Sequence, residues 1–303
     1  MQTRRIARTD LDVSVIGLGC NNFGRIDQAA TQAVVDASLN AGINFFDTAD
    51  MYGDGLSEQY LGKALGERRK DVIILTKFGA RTGGARDNVM SCVEASLQRL
   101  GTDYIDLYML HFPDAKTPIL ETLQALNDLI AAGKVRHIAC SNFSTAQLEE
   151  ADRVAKDAGL VGFASTEEDY SILKRDIEAE VLPTIGKLEL SLLPYFPLAS
   201  GLLTGKYRRG EAPAEGTRYA GNMERFGKAL SDENFDRIER LTAWAEARGH
   251  SILELAFAWL LADPKIPSVI AGATKPEQVK ANAAAGDWIL TLAEQDEVRQ
   301  LAL

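Results

Sequence analysis

The sequence predicts a closed (β/α)8 TIM barrel, and three observations carry that prediction. Apolar, β-prone runs end near Gly19, Asp47, Lys77, His111, Ser141, Thr166 and Tyr195, in steps of 25 to 34 residues. A strand, a loop, a helix and a return loop need a period of this length. The segments between the runs carry helical rather than alternating periodicity. No linker or shift in composition divides the 303 residues, a size at which an α/β barrel commonly forms one domain. Residues 1–303 are therefore expected to be a single barrel domain.

Taken in order, residues 3–14 place a turn-like RTDLD between two short β-prone pieces, which reads as an N-terminal hairpin plugging one end of the barrel. The helical segments each show an apolar face: Ala30, Val34, Ala37, Ser38 and Ala41; Val89, Val93, Leu97 and Leu100; Leu123, Leu126, Leu129 and Ile130. Gly42, Gly101, Gly133 and Gly159 follow four helices, where a left-handed cap is wanted. Ser144 with Gln147 opens another as a capping box.

The eighth strand is delayed by 77 residues, from Tyr195 to Gly272. The first part of that connection, Gly201–Asn222, is rich in glycine and basic residues and reads as a long loop on the functional face. Helices around 233–248 and 252–262 follow, then IPSVIAG as the last strand, PEQVKANAAA as the eighth helix and a short helix near 294–302. Two helices thus lie beyond the barrel's eight. The alternative is an open doubly wound sheet, but GLGCNNFG after the first strand lacks the G-x-G-x-x-G spacing, and its Gly17 and Gly19 suit close backbone approach in a barrel equally well.

Composition narrows the function classes. With 33 basic and 43 acidic residues the net charge is −10, which argues against nucleic acid or an anionic membrane surface as the main partner. Cys20, Cys92 and Cys140 are odd in number and lack metal-ligand spacing, as expected in a reducing compartment. No apolar signal region opens the chain and no run reaches membrane-spanning length, so a cytoplasmic protein without a resident metal is expected.

A barrel gathers the C-terminal ends of its strands around one site. Asp47, Lys77 and His111 end the second, third and fourth strands, and Tyr52 lies in the loop after the second. Each alone has an ordinary explanation, such as a strand-end lysine in solvent or a satisfied core histidine. Four proton-active groups on three consecutive strand ends are harder to ascribe to chance. An ammonium beside a phenol favours the phenolate, so Lys77 is expected to lower the Tyr52 pKa from about 10 and make it a useful acid. Asp47 would hold the lysine, and His111 would orient a carbonyl oxygen. With no serine or cysteine nucleophile elbow, the external nucleophile expected for a polarised carbonyl is hydride.

At this point the sequence resembles the aldo-keto reductase family, in the branch with bacterial aldehyde and sugar reductases and potassium-channel β subunits. The motifs are GLG, FDTADMYGDGLSE, ILTKFG, YIDLYMLHFPD, IACSNFS, YFPLASGLLTGKY and VIAGATKPEQVKAN, which span nearly the whole chain. The resemblance implies a catalytic tetrad of Asp47, Tyr52, Lys77 and His111 and an NADP(H) cofactor. It places Ser141 and Asn142 on the nicotinamide carboxamide and Tyr195 against the ring. Gly201, Leu202, Thr204 and Lys206 would strap the pyrophosphate; Gly272, Thr274 and Lys275 would take the 2′-phosphate, with Gln278 and Asn282 near the adenine. Gly19, at the first strand end, completes the cofactor set. The start of the PEQVKANAAA helix also offers free N–H groups and a cation to an anion, although an ordinary Pro-opened helix has the same sequence.

Two departures stand out. The family usually has glutamine where STEEDYS places Glu167, or Glu168 if the register shifts by one residue, and Ala271 stands where proline is common. An ionised glutamate accepts but does not donate, and its charge near the ring is expected to favour oxidised nicotinamide. For substrate, Phe23, Met51, Phe78 and Phe112 are pocket candidates, with Arg81 and Arg218 in loops on the same side. The expected substrate is a small polar or sugar-derived carbonyl compound. Two other readings compete: a nucleotide-binding, redox-sensing subunit with little turnover, and a Schiff-base aldolase using Lys77. Oligomeric state is not encoded legibly.

Overall fold

The computed structural model describes residues 1–215, 217–221 and 223–303, and only the backbone of residues 218, 225 and 226. The side chain of Arg218, and Asn222 at the end of the long loop, therefore lie outside the described residues.

The first two strands, β1 (Thr3–Arg5) and β2 (Asp12–Ser14), pair antiparallel as the expected hairpin. The next eight are β3 (Ile16–Gly19), β4 (Phe45–Asp47), β5 (Ile73–Phe78), β6 (Ile105–Leu110), β7 (Val135–Ser141), β8 (Ser165–Asp169), β9 (Ser191–Tyr195) and β10 (Val269–Gly272). They form one parallel sheet in the order β10-β3-β4-β5-β6-β7-β8-β9. The ring is nearly closed where the Leu192 N–H donates to the Lys265 carbonyl, 2.9 Å away, just before β10. Strand β8 runs three residues past the expected end at Thr166, because Glu167, Glu168 and Asp169 do not read as strand until their neighbours are known.

Inside the ring, Phe45, Leu75, Leu107, Met109, Leu193 and Ile270 form a core with Ile6, Leu11 and Val13 of the hairpin. The hairpin thus closes the end of the barrel away from the strand C-termini. Gly17 is needed here, since a Cβ would lie 2.9 Å from a ring carbon of Phe45 and 3.0 Å from Ser268 Oγ. A larger core fills the space between strands and helices.

The helices are α1 (Gln28–Asn40), α2 (Leu56–Leu65), α3 (Arg86–Leu100), α4 (Ile119–Ala131), α5 (Thr145–Asp157), α6 (Val181–Lys187), the single turns α7 (Arg218–Gly221) and α8 (Met223–Phe226), α9 (Asp232–Glu246), α10 (Ile252–Leu261), α11 (Pro276–Ala285) and α12 (Leu292–Leu301). The expected faces of α3 and α4 are buried, Ile130 only partly. In α1 the buried residues are Thr31, Val34, Val35 and Ser38, a face slightly rotated from the expected one because alanines on both sides leave the stripe underdetermined. Gly42, Gly101, Gly133 and Gly159 all have positive φ, and the Ser144–Gln147 capping box is formed. Beyond the barrel's eight, besides the single turns α7 and α8, lie α9 and α12, which pack on each other.

Candidate active site

Strand register builds the site. Alternate side chains of β5 point into the ring, so Leu75 packs in the inner core and Lys77, two residues on, reaches the mouth with 1% of its surface exposed. Asp47 ends β4 beside it, and Lys77 Nζ donates to Asp47 Oδ1 and to the Thr48 carbonyl, the latter at 3.2 Å. His111 follows β6, its N–H donating to the Phe78 carbonyl at 2.9 Å.

Tyr52 arrives from a loop pinned to the barrel. The N–H groups of Thr48 and Asp50 donate to the Leu75 and Lys77 carbonyls, extending the sheet past β4. After Tyr52 the chain turns back through Gly53, Asp54 and Gly55, with φ of 58°, 54° and 89°, which suits the two glycines. Ser57, at the start of α2, bonds Thr48 Oγ1 at 2.7 Å and donates to the Cys20 carbonyl at 2.8 Å. The result places the Tyr52 hydroxyl 3.5 Å from Lys77 Nζ and its ring edge-on to His111, centroids 5.9 Å apart.

The charges differ from the simple expectation in two ways. Burial works against the Lys77 ammonium, but Asp47, Glu167 and Tyr52 outweigh it and hold the pKa well above the ordinary value. Tyr52 is shifted up, not down: burial raises its pKa, Lys77 lowers it, and the negative charges of Asp47 and Glu167 raise it again. The expected fall considered the ammonium alone, without burial and the two carboxylates. Burial and the Lys77 charge push His111 down to about 3, so its imidazole is neutral near pH 7. The His111 Nδ1 atom has no hydrogen-bond partner among the described residues.

Glu167 brings a further carboxyl to the site. It pairs in register with Ser141, is 2% exposed, and places Oε2 3.3 Å from Lys77 Nζ without hydrogen-bond alignment. Burial and Asp47 push its pKa up to about 8 against the pull of Lys77. Burial thus favours its neutral form, which can donate as well as accept, against the expectation of a fixed negative charge.

Around the mouth, Ser141 Oγ donates to the Glu167 carbonyl at 2.7 Å, and Asn142 Nδ2 donates to the His111 carbonyl at 3.1 Å and to Ser141 Oγ at 2.9 Å. Tyr195 O–H donates to Asn142 Oδ1 at 2.8 Å. Asn142 has φ of 62°, and Phe196, Ala199 and Ser200 are also non-glycine residues at positive φ. Such strain gathers at functional sites. Gly19 and Gly272 are register partners, and a Cβ on Gly272 would meet Asn22 Nδ2 at 3.2 Å and Asn21 Oδ1 at 3.3 Å. This strip without side chains suits a long flat ligand.

On one flank of the mouth, Gly201 has φ of 104°, Leu202 is buried, Thr204 Oγ1 donates to the Gly201 carbonyl at 2.7 Å, and Lys206 is exposed. On the other, the exposed Lys275 precedes α11. There Gln278 Oε1 accepts from the N–H groups of Thr274 and Lys275, at 2.7 and 3.2 Å. An anion at this helix start would have to displace the Gln278 carbonyl. Asn282 is buried on the same helix.

The four substrate-pocket candidates divide. Phe23 and Phe78 have no exposed surface and lie in the outer core, Phe78 stacked on Tyr108 at 4.5 Å. They are therefore packing residues, because Phe78 has the opposite strand parity to Lys77. Met51 is partly accessible, and Phe112 is 43% exposed and stacked on His111. Arg81 pairs with Asp54 at the surface. Sequence reading missed Thr48, Ser57 and Glu58 as supports of the Tyr52 loop; the polar TAD and LSE triplets flanking Tyr52 were the available signal. Among the described residues no group of three or more His, Cys, Asp or Glu side chains is placed to hold a metal, and no helix is long and apolar enough to cross a membrane.

Comparison with known proteins gives the same picture. The family model described as "Aldo/keto reductase family" matches residues 15–302. A probable voltage-gated potassium channel subunit beta of Oryza sativa subsp. japonica is 36% identical over 95% of this chain and 92% of its own length. The aldo-keto reductase YhdN of Bacillus subtilis (strain 168) is 34% identical over 99% of this chain and 93% of its own. The solved holo form of aldo-keto reductase AKR11C1 from Bacillus halodurans superposes with a TM-score of 0.81 at 32% identity, covering 100% of this chain and 97% of that one. With a match of this extent in sequence and in barrel geometry, the chain belongs to the aldo/keto reductase family, whose members reduce carbonyl compounds with nicotinamide cofactors.

Proposed function

We propose that the protein is an NADPH-dependent oxidoreductase that interconverts a small polar or sugar-derived aldehyde and its alcohol, with Tyr52 as general acid and base. The observation that carries this reading is the Tyr52 hydroxyl, 3.5 Å from a lysine ammonium and edge-on to a neutral histidine at the mouth of the barrel. When bound, the reduced nicotinamide supplies hydride to the carbonyl carbon. Tyr52 gives its proton to the carbonyl oxygen, and Lys77 stabilises the phenolate until solvent reprotonates it. His111, neutral, donates one N–H to the same oxygen. Asp47 keeps Lys77 charged and in place. In the oxidising direction the Tyr52 phenolate takes the alcohol proton.

The residues proposed to hold the cofactor are Ser141, Asn142 and Glu167 at the carboxamide, Tyr195 at the ring, and Gly201, Leu202, Thr204 and Lys206 at the pyrophosphate. Gly272, Thr274 and Lys275 take the 2′-phosphate, Gln278 and Asn282 lie near the adenine, and Gly19 leaves room beside Gly272. Met51 and Phe112 border the substrate. A cytoplasmic location belongs to the same proposal. NADPH consumption across a panel of aldehydes tests the reading; no turnover above that of Tyr52→Phe with any of them would overturn it.

The similarity to a channel β subunit favours a second reading, a nucleotide-binding redox sensor with little turnover. Tight nucleotide binding with one slow hydride transfer per binding event would select it. Against a Schiff-base role stands the Lys77 charge, since only the neutral amine attacks a carbonyl.

A further inference from the structure

Lys77 has more acceptors than hydrogens. Its ammonium carries three N–H donors; Asp47 Oδ1 and the Thr48 carbonyl take two. Two oxygens remain near it, the Tyr52 hydroxyl at 3.5 Å and Glu167 Oε2 at 3.3 Å. The first is a long bond, and the second, an ion pair out of hydrogen-bond alignment, has no hydrogen-bond partner among the described residues although its residue is only 2% exposed. A buried oxygen with no such partner is costly, so Glu167 gains by drawing the third N–H towards itself.

We infer that Glu167 is a positioning residue for the proton step: it competes with Tyr52 for the third N–H of Lys77, and its charge sets how readily the phenol gives up its proton. The inference deepens the proposed reaction and rests on Tyr52 being its acid. The titratable or charged groups facing Glu167 are Asp47 of β4, Tyr52 of the following loop, Lys77 of β5 and Glu168 of β8. His111 faces the same Lys77, whose charge lowers its pKa. Among these, Glu167 ionises before Tyr52 as pH rises, its carboxyl being pushed up to about 8 and the phenol higher still. At the pH where the phenol would ionise, Glu167 is already an anion. It then opposes a second negative charge and holds the ammonium that would stabilise it.

Glu167→Gln keeps the shape and removes the charge, so the phenolate becomes easier to form. The expected result is a basic limb of the kcat profile for carbonyl reduction that moves to lower pH by about one unit or more, while Glu167→Asp leaves it nearer the wild-type position. A fall in kcat with the limb unmoved would indicate a structural role and overturn the inference, as would a shift to higher pH. A second measurement needs neither nucleotide nor turnover: NMR titration of ring-labelled tyrosine, with Tyr52→Phe assigning the Tyr52 signal. The Tyr52 phenol should ionise at lower pH in Glu167→Gln than in the wild type. A phenol that stays protonated up to alkaline unfolding in both proteins would overturn the inference. If the wild type reduces no aldehyde, the proposed function fails while this titration still decides the role of Glu167.

Discussion

Arg99 Nε donates to Glu58 Oε2 at 2.6 Å, and the Glu58 side chain has no exposed surface. Thr76 Oγ1 donates to its other oxygen at 2.6 Å. One buried carboxylate thus joins α2 to α3 and to the strand that carries Lys77. Because α2 begins four residues after Tyr52, the same contact fixes where the phenol loop returns to the barrel. Replacing Glu58 by alanine removes the acceptor that Arg99 and Thr76 share, and losing hydrogen bonds to a charged group costs about 2 kcal/mol. The expected result is a lower urea midpoint with an unchanged slope, and lower activity while the fold persists. A change below about 0.5 kcal/mol would mean that water or another acceptor replaces the carboxylate.

Tyr52→Phe separates chemistry from structure. Tyr52 is partly exposed at the barrel mouth and the bond from its hydroxyl to Lys77 is long, so removal of that hydroxyl should leave the unfolding midpoint within experimental error. General acid catalysis contributes about 10²–10⁴ in rate, and kcat should fall by that factor in both directions. Nucleotide dissociation constants, by fluorescence titration, should change less than about twofold, or 0.4 kcal/mol. A variant that keeps more than about a tenth of the wild-type kcat would require another acid, well outside the expected range.

How much of this was legible in the chain depends on the range of the cause. The strand ends at Asp47, Lys77 and His111 follow from local pattern and period, and the structure places them within one residue of expectation. Glu58 shows locally only as one polar residue of the LSE triplet, because its importance comes from Thr76 and Arg99, which are 18 and 41 residues away in sequence. The Tyr52 acidity differs from expectation for the same reason: sequence shows the nearby lysine but not the burial, nor that the Glu167 carboxyl lies against that lysine. Phe78 beside Lys77 looked like pocket lining, yet strand alternation sends adjacent side chains to opposite faces.

Lys275 tests the cofactor preference. It is exposed at the start of α11, where a phosphate that displaced the Gln278 carbonyl would meet backbone N–H groups and a cation. Lys275→Ala should weaken NADPH binding about tenfold, or roughly 1.4 kcal/mol, and leave NADH nearly unchanged. The NADPH loss should shrink at high salt, because an exposed charge pair is screened. Equal losses for both nucleotides would place the 2′-phosphate elsewhere.

The buried acids of β8 give stability a pH dependence whose sign can be worked out. In the folded protein Glu167 is raised from 4.5 to about 8, and Glu168 from 4.5 to about 7, both mainly by burial. A raised carboxyl binds its proton more tightly when folded, so its stabilising effect is complete below 4.5 and fades as pH climbs through the folded value. His111 acts oppositely: lowered from 6.5 to about 3, it loses stability as pH falls through that window. The wild type should therefore be less stable at both ends. Comparing each variant with the wild type removes the contribution of His111. Both Glu167→Gln and Glu168→Gln should resemble the wild type below about pH 5 and gain relative stability as pH rises from there, the gain levelling off near pH 8 for Glu167→Gln and about one pH unit lower for Glu168→Gln. Urea midpoints at pH 5, 7 and 9 measure this directly. If the Glu167→Gln variant instead lost ground as pH rose, attraction to Lys77 would outweigh burial, and Glu167 would be an ordinary ionised partner of the lysine.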